Sequence, residues 1–229
     1  MPPKSKSDPL ATFYNADPSI FEIGVDEVGR GPMLGRVYTA AVILPKDNRF
    51  DHSLMKDSKR FHSEKKIKEV SDYIKENAIA WAITYESEEI IDKINIRQAT
   101  LKSMQHSIKS VLSKHKTSDI LYENYQLIVD GNDFKPIMIN NNDRIDTVKY
   151  VCVEGGDNKY TCIAAASILA KVARDEYIAE LCKENPELIE RYNILSNKGY
   201  GAKAHMEGIK TYGISKWHRK TYGICKQYI

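Results

Sequence analysis

The sequence predicts an α/β domain in which a mixed sheet is covered by helices. Three observations carry that expectation. Short β-branched apolar runs recur at 21–26, 36–44, 78–86, 126–130 and 147–153. Segments with helical spacing lie between and after them, and the strands come first before mixing with helices. No linker divides the 229 residues, a length that suits one well-buried domain.

Residues 1–19 are rich in Pro, Ser, Lys and Asp, and are expected to form a flexible tail. The ordered domain, 20–229, should start near Ile20. FEIGVD (21–26) and RVYTAAVIL (36–44) read as two strands joined by the glycine-rich GRGPMLG. Ser63 is placed to cap a helix that carries Ile67, Val70 and Ile74 at helical spacing. AIAWAITYE (78–86) reads as a third strand. A longer helix is expected from about 96 to 114, with Leu101, Met104, Ile108, Val111 and Leu112 on one side. QLIVD (126–130) and TVKYVCV (147–153) read as strands, and the Asn run 140–142 as a loop. TCIAAASILAKVARDEYIAELCKE has almost no helix breaker and many small residues, so it predicts one helix packed closely on the sheet. From about 186 to 229 the pattern is one of short helices and basic turns.

Composition excludes several classes. Four widely spaced cysteines with no CxxC pair argue against a zinc site or a disulfide scaffold. The longest weakly charged stretch, 160–170, is far short of the roughly 20 residues that span a bilayer, so no membrane partner is expected. The lysines near the amino terminus have no apolar core behind them, as a signal peptide would, so the protein is expected inside a cell, cytoplasmic by default and nuclear if the source is eukaryotic. A net charge of +3 permits nucleic-acid binding without requiring it.

The chemistry-bearing residues are acids. Asp26 and Glu27 are adjacent at the end of an apolar strand, and Asp130 ends another just before Gly131. Asp157 precedes the small-residue helix. Any one of these alone is more often a turn former or a cap than a ligand. Together, crowded carboxylates need a positive charge between them, and a set of oxygen donors without a His or Cys cluster selects hard cations, Mg²⁺ or Mn²⁺. Such a set is what two-metal phosphoryl transfer requires.

Seven segments then resemble one family in order and spacing. VDEVGRGPMLG (25–35), KDSK (56–59), NIRQAT (95–100), LIVDGN (127–132), GGDNKYTCIAAASILAKVARD (155–175), NKGYGAKAH (197–205) and WHRKTYG (217–223) are similar to the type 2 ribonucleases H, the RNase HII family. The resemblance implies an RNase H-like fold, with a central five-stranded mixed sheet flanked by helices and a small helical carboxy-terminal part that grips the duplex. It implies an endonuclease that hydrolyses the RNA strand of RNA/DNA hybrids and nicks DNA 5′ to an embedded ribonucleotide, leaving 3′-hydroxyl and 5′-phosphate ends. Asp26, Glu27, Asp130 and Asp157 match the family's metal-binding acids, with two ions in the active complex. Gly29, Arg30 and Gly31 match a loop whose backbone approaches the ribose 2′-OH, and Tyr200 matches a tyrosine that stacks on the neighbouring sugar. Ser58, Lys59, Asn95, Gln98, Ser167, Lys171, His218 and Arg219 are the expected phosphate contacts, with Ser167 and Lys171 sharing a helix face.

The chain departs from the family pattern at Val28 (usually Ala), Arg36 (commonly Pro) and Ile224 (often Pro). No clamp-binding peptide is evident at the carboxy terminus, and no exposed heptad pattern suggests a dimer. Two alternatives stand beside the main reading. One is a ribonuclease H that prefers long RNA runs; the other is a hybrid-binding protein without catalysis, although all four acids are present.

Overall fold

The computed structural model describes residues 9–117, 120–141 and 144–229. Its centre is a five-stranded sheet built from β1 (Phe21–Val28), β2 (Val37–Ile43), β3 (Ala80–Glu86), β4 (Tyr125–Asp130) and β7 (Lys149–Val153), in the order β3-β2-β1-β4-β7. β1, β2 and β3 run antiparallel, whereas β1, β4 and β7 are parallel. Parallel neighbours end on the same rim, so the acids that close β1 and β4 arrive side by side. Val25 pairs with Val129, and Asp26 and Asp130 each follow that pair by one residue.

Helices cover both faces. α1 (Glu64–Asn77) starts where expected, with the Ser63 hydroxyl accepting from the Lys66 N–H at 3.4 Å. α2 (Glu88–His115) lays Leu101, Met104, Ile108, Val111 and Leu112 on the sheet face formed by Ile23, Val25, Leu127 and Val129. α3 (Thr161–Glu184) crosses the other face. Its run of small residues has a steric cause. A Cβ added to Gly24 would come within 2.3 Å of the Cys162 backbone, so helix and strand touch through glycine. α4 (Glu187–Tyr192), α5 (Ile194–Asn197) and α6 (Lys203–Tyr212) bury Leu188, Tyr192, Ile194 and Ile209 against Met33, Leu34 and the second half of α3. The carboxy-terminal part is therefore bound to the loop after β1 by a core of its own.

Three expectations need correction. Residues 9–19, assigned to a flexible tail, are mostly exposed but tied to the domain by hydrogen bonds: Ala11 pairs with Tyr160, and the buried Glu22 carboxylate accepts from the N–H groups of Tyr14 (3.0 Å) and Asn15 (2.6 Å). Composition could not reveal this, because the partners are backbone groups. Residues 1–8 lie outside the described residues. The second helix begins at Glu88, and Asn95, with φ of 64°, breaks it. The Asn95 side chain then caps the remainder by accepting from the Gln98 N–H at 3.1 Å, which is why periodicity detected only the part from 96 onward. Finally, Asn140 and Asn141 belong to β5 (Met138–Asn141), which pairs with β6 (Arg144–Thr147) as a separate hairpin, while Asn142 lies outside the described residues.

Candidate active site

Asp26 and Glu27 point to opposite faces of β1, as strand alternation demands. Asp26, 5% exposed, faces α3, where the Ser167 hydroxyl hydrogen-bonds its carboxylate and meets Ser58 Oγ at 3.0 Å. Glu27 faces α2 and lines a cavity of about 130 Å³ with Arg30, Arg97, Thr100, Asp130 and Asn132. Asp130 closes β4 between the two faces, and its Oδ1 accepts the Gly156 N–H at 2.7 Å. That bond anchors the turn bearing Asp157. Asp157 is buried, accepts from Asn158 Nδ2 at 3.2 Å, and has Lys59 Nζ at 3.9 Å. The rim of the sheet thus brings together all four acids expected to act.

Their electrostatics are those of an anionic centre short of positive charge. Burial, then the charges of Glu27 and Asp130, push the Asp26 carboxyl well above the usual carboxylate range. Burial also raises Glu27, against the pull of Arg30, and Asp130 adds to the rise. Asp157 is raised by burial, then by Asp57 and Asp130. Oxygen donors that resist ionisation in the absence of a counter-charge fit a hard divalent cation. Among the described residues no group of three or more His, Cys, Asp or Glu side chains is arranged so that it could hold a metal ion as it stands. Glu27 is turned to Arg30 at 3.3 Å and Asp157 to Asn158, so the acids share one field while holding local partners.

A stability consequence follows for the protein without divalent ions. Since the folded-state pKa of Asp26 lies above its unfolded value, its unfavourable charge is present at high pH and vanishes as pH falls through the folded pKa. Asp26→Asn should raise the thermal midpoint in EDTA by roughly 2–8 °C at pH 8, and by less at pH 5. An unchanged or lowered midpoint at pH 8 would remove the picture of Asp26 as a strained anion.

The loop after β1 is held open on one side and pinned on the other. Gly29 has φ of 95°, and a Cβ there would meet the Arg174 side chain at 2.4 Å, so only glycine fits. A Cβ at Gly31 would come 3.4 Å from the Tyr200 ring, which is half exposed across from the loop.

The expected phosphate contacts divide. Lys59 is exposed beside Asp157, and Asn95 is exposed at the helix break. Gln98 accepts from Lys135 Nζ at 3.2 Å. Lys171 pairs with Asp175 at 2.8 Å, whereas Ser167 and Ser58 are buried beside Asp26, so Ser167 and Lys171 do not share a phosphate in this arrangement. His218 and Arg219 are corrected outright. His218 is 1% exposed and bonded to His205 and Ser215, while Arg219 is fully buried with its guanidinium on backbone carbonyls; neither can reach a nucleic-acid phosphate. A basic dipeptide in a turn looks the same in sequence whether it faces solvent or core.

Two further residues of these segments shape the site without a clear mark in the sequence. Asp57 caps the turn that carries Ser58 and Lys59, accepting from the Lys59 N–H at 2.9 Å and from Asn158 Nδ2 at 3.2 Å. An Asp directly before a Ser-Lys pair is a capping signal that could have found it. Arg174 is buried against Gly29, with Nη2 donating to the Lys198 carbonyl at 2.9 Å; no local pattern distinguishes it from a surface arginine.

A mixed sheet whose parallel strands carry carboxylates to one rim, beside a glycine loop faced by a tyrosine, has the architecture of an RNase H-like nuclease. Solved structures agree on the fold. Ribonuclease H2 from Pyrococcus horikoshii aligns with a TM-score of 0.69 at 20% identity, covering 91% of this chain and 97% of that one. Bst-RNase HIII in complex with Mn²⁺ aligns with a TM-score of 0.65 at 19% identity, covering 92% and 69%. Sequence likeness is closer: ribonuclease HII of Parabacteroides distasonis is 41% identical over 206 residues, 90% of this chain and 92% of that protein. The family model described as ribonuclease HII matches residues 23–224, and the chain belongs to that family. It is an endonuclease that hydrolyses RNA in RNA/DNA hybrids and leaves 5′-phosphate ends. Among the described residues no helix is long and apolar enough to cross a membrane.

Proposed function

We propose that Asp26, Glu27, Asp130 and Asp157 hold two divalent cations, Mg²⁺ or Mn²⁺, and that the chain also nicks duplex DNA on the 5′ side of a single embedded ribonucleotide. The observation that carries this reading is the placement of Asp26 and Asp130 one residue beyond the paired Val25 and Val129, directly before the loop that faces Tyr200. When bound, the cations would supply Lewis acidity toward the scissile phosphate and an activated water.

The remaining work falls to the protein. Asp26 and Asp130 supply negative charge at the rim, and the Gly156 N–H fixes one oxygen of Asp130. Ser167, itself bonded to Ser58, holds the buried side of Asp26. Lys59 contributes positive charge beside Asp157, where an approaching phosphate needs it. The exposed Tyr200 ring stands beside Gly31, where a Cβ would come to 3.4 Å from it, so a sugar that meets the loop backbone can also reach the ring. Backbone donors in that loop would read the 2′-OH, the group that separates RNA from DNA.

The test is cleavage of a DNA duplex containing one ribonucleotide, beside a long RNA/DNA hybrid, with Mg²⁺, with Mn²⁺ and with EDTA. A single nick 5′ to the ribonucleotide, abolished by EDTA, is the expected result. Cleavage of the long hybrid alone would leave the preference for RNA runs, and duplex binding without cleavage would leave a binding protein.

A further inference from the structure

The carboxy-terminal WHRKTYG segment reaches back across the chain to the loop after β1. The Gly35 N–H donates to the Trp217 carbonyl at 2.9 Å, and the Arg219 N–H donates to Met33 at 2.8 Å. From this short pairing the Arg219 guanidinium enters the protein fully buried. Its Nη2 donates to the Gly29 carbonyl at 2.6 Å, Nη1 to the Arg30 carbonyl at 2.9 Å, and Nε to the Gly35 carbonyl at 2.8 Å. Tyr222 Oη donates a second bond to the Arg30 carbonyl at 2.9 Å.

A trans peptide is planar, with the carbonyl of one residue opposed to the N–H of the next. The chain has no cis peptide bond among the described residues. Fixing the Gly29 and Arg30 carbonyls toward the interior therefore fixes the N–H groups of Arg30 and Gly31 in the opposite sense, away from Arg219. Both residues are exposed, and among the described residues neither N–H has an intramolecular acceptor. The planar fork of the guanidinium suits this task, since two consecutive carbonyls are gripped by two nitrogens of one rigid group. A lysine ammonium in the same place is a point donor and cannot hold both carbonyls in one orientation.

We propose that Arg219 is a positioning residue for RNA recognition: by gripping the Gly29 and Arg30 carbonyls, it presets the Arg30 and Gly31 N–H groups as a donor pair for the ribose beside the scissile phosphate. This rests on the reading that the Gly29–Gly31 loop meets the ribose, and it goes beyond that reading by assigning the loop's shape to a buried side chain. Arg219 touches no substrate and acts only through backbone.

Two variants test it on a duplex with one ribonucleotide. Arg219→Lys keeps the charge but loses the fork; kcat should fall about 10- to 100-fold while KM stays within about threefold, because a misoriented donor pair costs alignment more than affinity. Arg219→Ala opens a space shaped for guanidinium, and tens of millimolar guanidinium chloride, roughly below denaturing levels, should restore part of kcat where equal sodium chloride does not. Wild-type kcat in Arg219→Lys would overturn the proposal. So would losses that follow unfolding and show no rescue, including failure of both variants to fold, since the residue would then only hold the fold. Gly31→Ala separates the two levels: if it nicks at the wild-type rate, the loop reading fails and the proposed role with it, whereas an impaired Gly31→Ala beside a normal Arg219→Lys refutes only the role of Arg219.

Discussion

Asp130→Asn should lower turnover on an RNA/DNA hybrid by about a thousandfold or more, while leaving hybrid affinity within severalfold of wild type, because removal of one metal carboxylate removes stabilisation felt in the transition state. The substitution is nearly isosteric. The Gly156 N–H, which donates to Asp130 Oδ1, can still donate to an amide oxygen, so the turn bearing Asp157 keeps its anchor. What disappears is a negative charge that adds to the burial already disfavouring ionisation of Asp26 and Glu27. Those two acids should ionise more readily in the variant, yet the site holds one formal charge fewer for a divalent ion. Single-turnover cleavage and a binding titration in Ca²⁺ or EDTA would separate the two effects. Turnover like the wild type would refute the assignment of Asp130 to the metal site.

The second large effect concerns acid. Ser215 donates its N–H to His218 Nδ1 at 2.9 Å, so the proton of His218 lies on Nε2 and points to His205 Nε2 at 3.0 Å. His205 must then carry its own proton on Nδ1, where it donates to the Tyr200 carbonyl at 2.9 Å. This chain of bonds has room for no further proton. Burial, then the neighbouring His205, pushes His218 down to about 3, and burial lowers His205 as well. The folded-state pKa lies below the unfolded one, so the unfolded chain binds more protons between them. Stability should therefore fall as pH drops from about 6.5 toward 3, by up to about 1.4 kcal/mol per pH unit for each proton taken up. His52 and His115, lowered by burial, act in the same direction, and Asp26, Glu27 and Asp157, raised by burial, in the opposite one. Urea unfolding at pH 7.5 and 5.0 on the Asp26→Asn background removes one opposing acid, and comparison with and without the His218 side chain then reads that histidine against the rest. Adding His218→Gln should flatten the pH dependence, and an unaltered slope would dismiss the pair as its source.

Much of the fold is legible in the residues because the signals are local. Ser63 caps its helix, the five apolar runs become the five strands, and the small residues of α3 answer to Gly24 across a close contact. Three of the acids are legible for a different reason: Asp26, Glu27 and Asp130 stand at the ends of apolar strands, which parallel pairing brings to one rim, whereas Asp157 is marked only by its place before α3. Less legible is which side of the surface a polar residue occupies. Arg219 and Lys59 look alike as basic residues in turns, yet one is fully buried on carbonyls and the other is largely exposed beside Asp157. That difference is set by long-range partners, 184–190 residues away for Arg219, and no window along the chain contains them. Arg36, unassigned from sequence, is explained in the same way: it is sandwiched between the Tyr85 and Tyr177 rings at 4.1 and 4.4 Å.

The strap formed by residues 9–19 has a consequence for where ions settle. Glu22 and Asp26 stand on the same face of β1, two turns of the strand alternation apart, and both are buried carboxylates. The strap furnishes Glu22 with two N–H donors, and Lys46 adds a cation at 3.4 Å. Among the described residues no cationic side chain forms an ion pair with Asp26, and Lys59 acts on it only from farther off. One end of the strand is thus neutralised permanently from within, and the other is left for whatever arrives from solution. On the proposed metal reading, the amino-terminal segment is what keeps Glu22 from competing with Asp26 for a divalent ion.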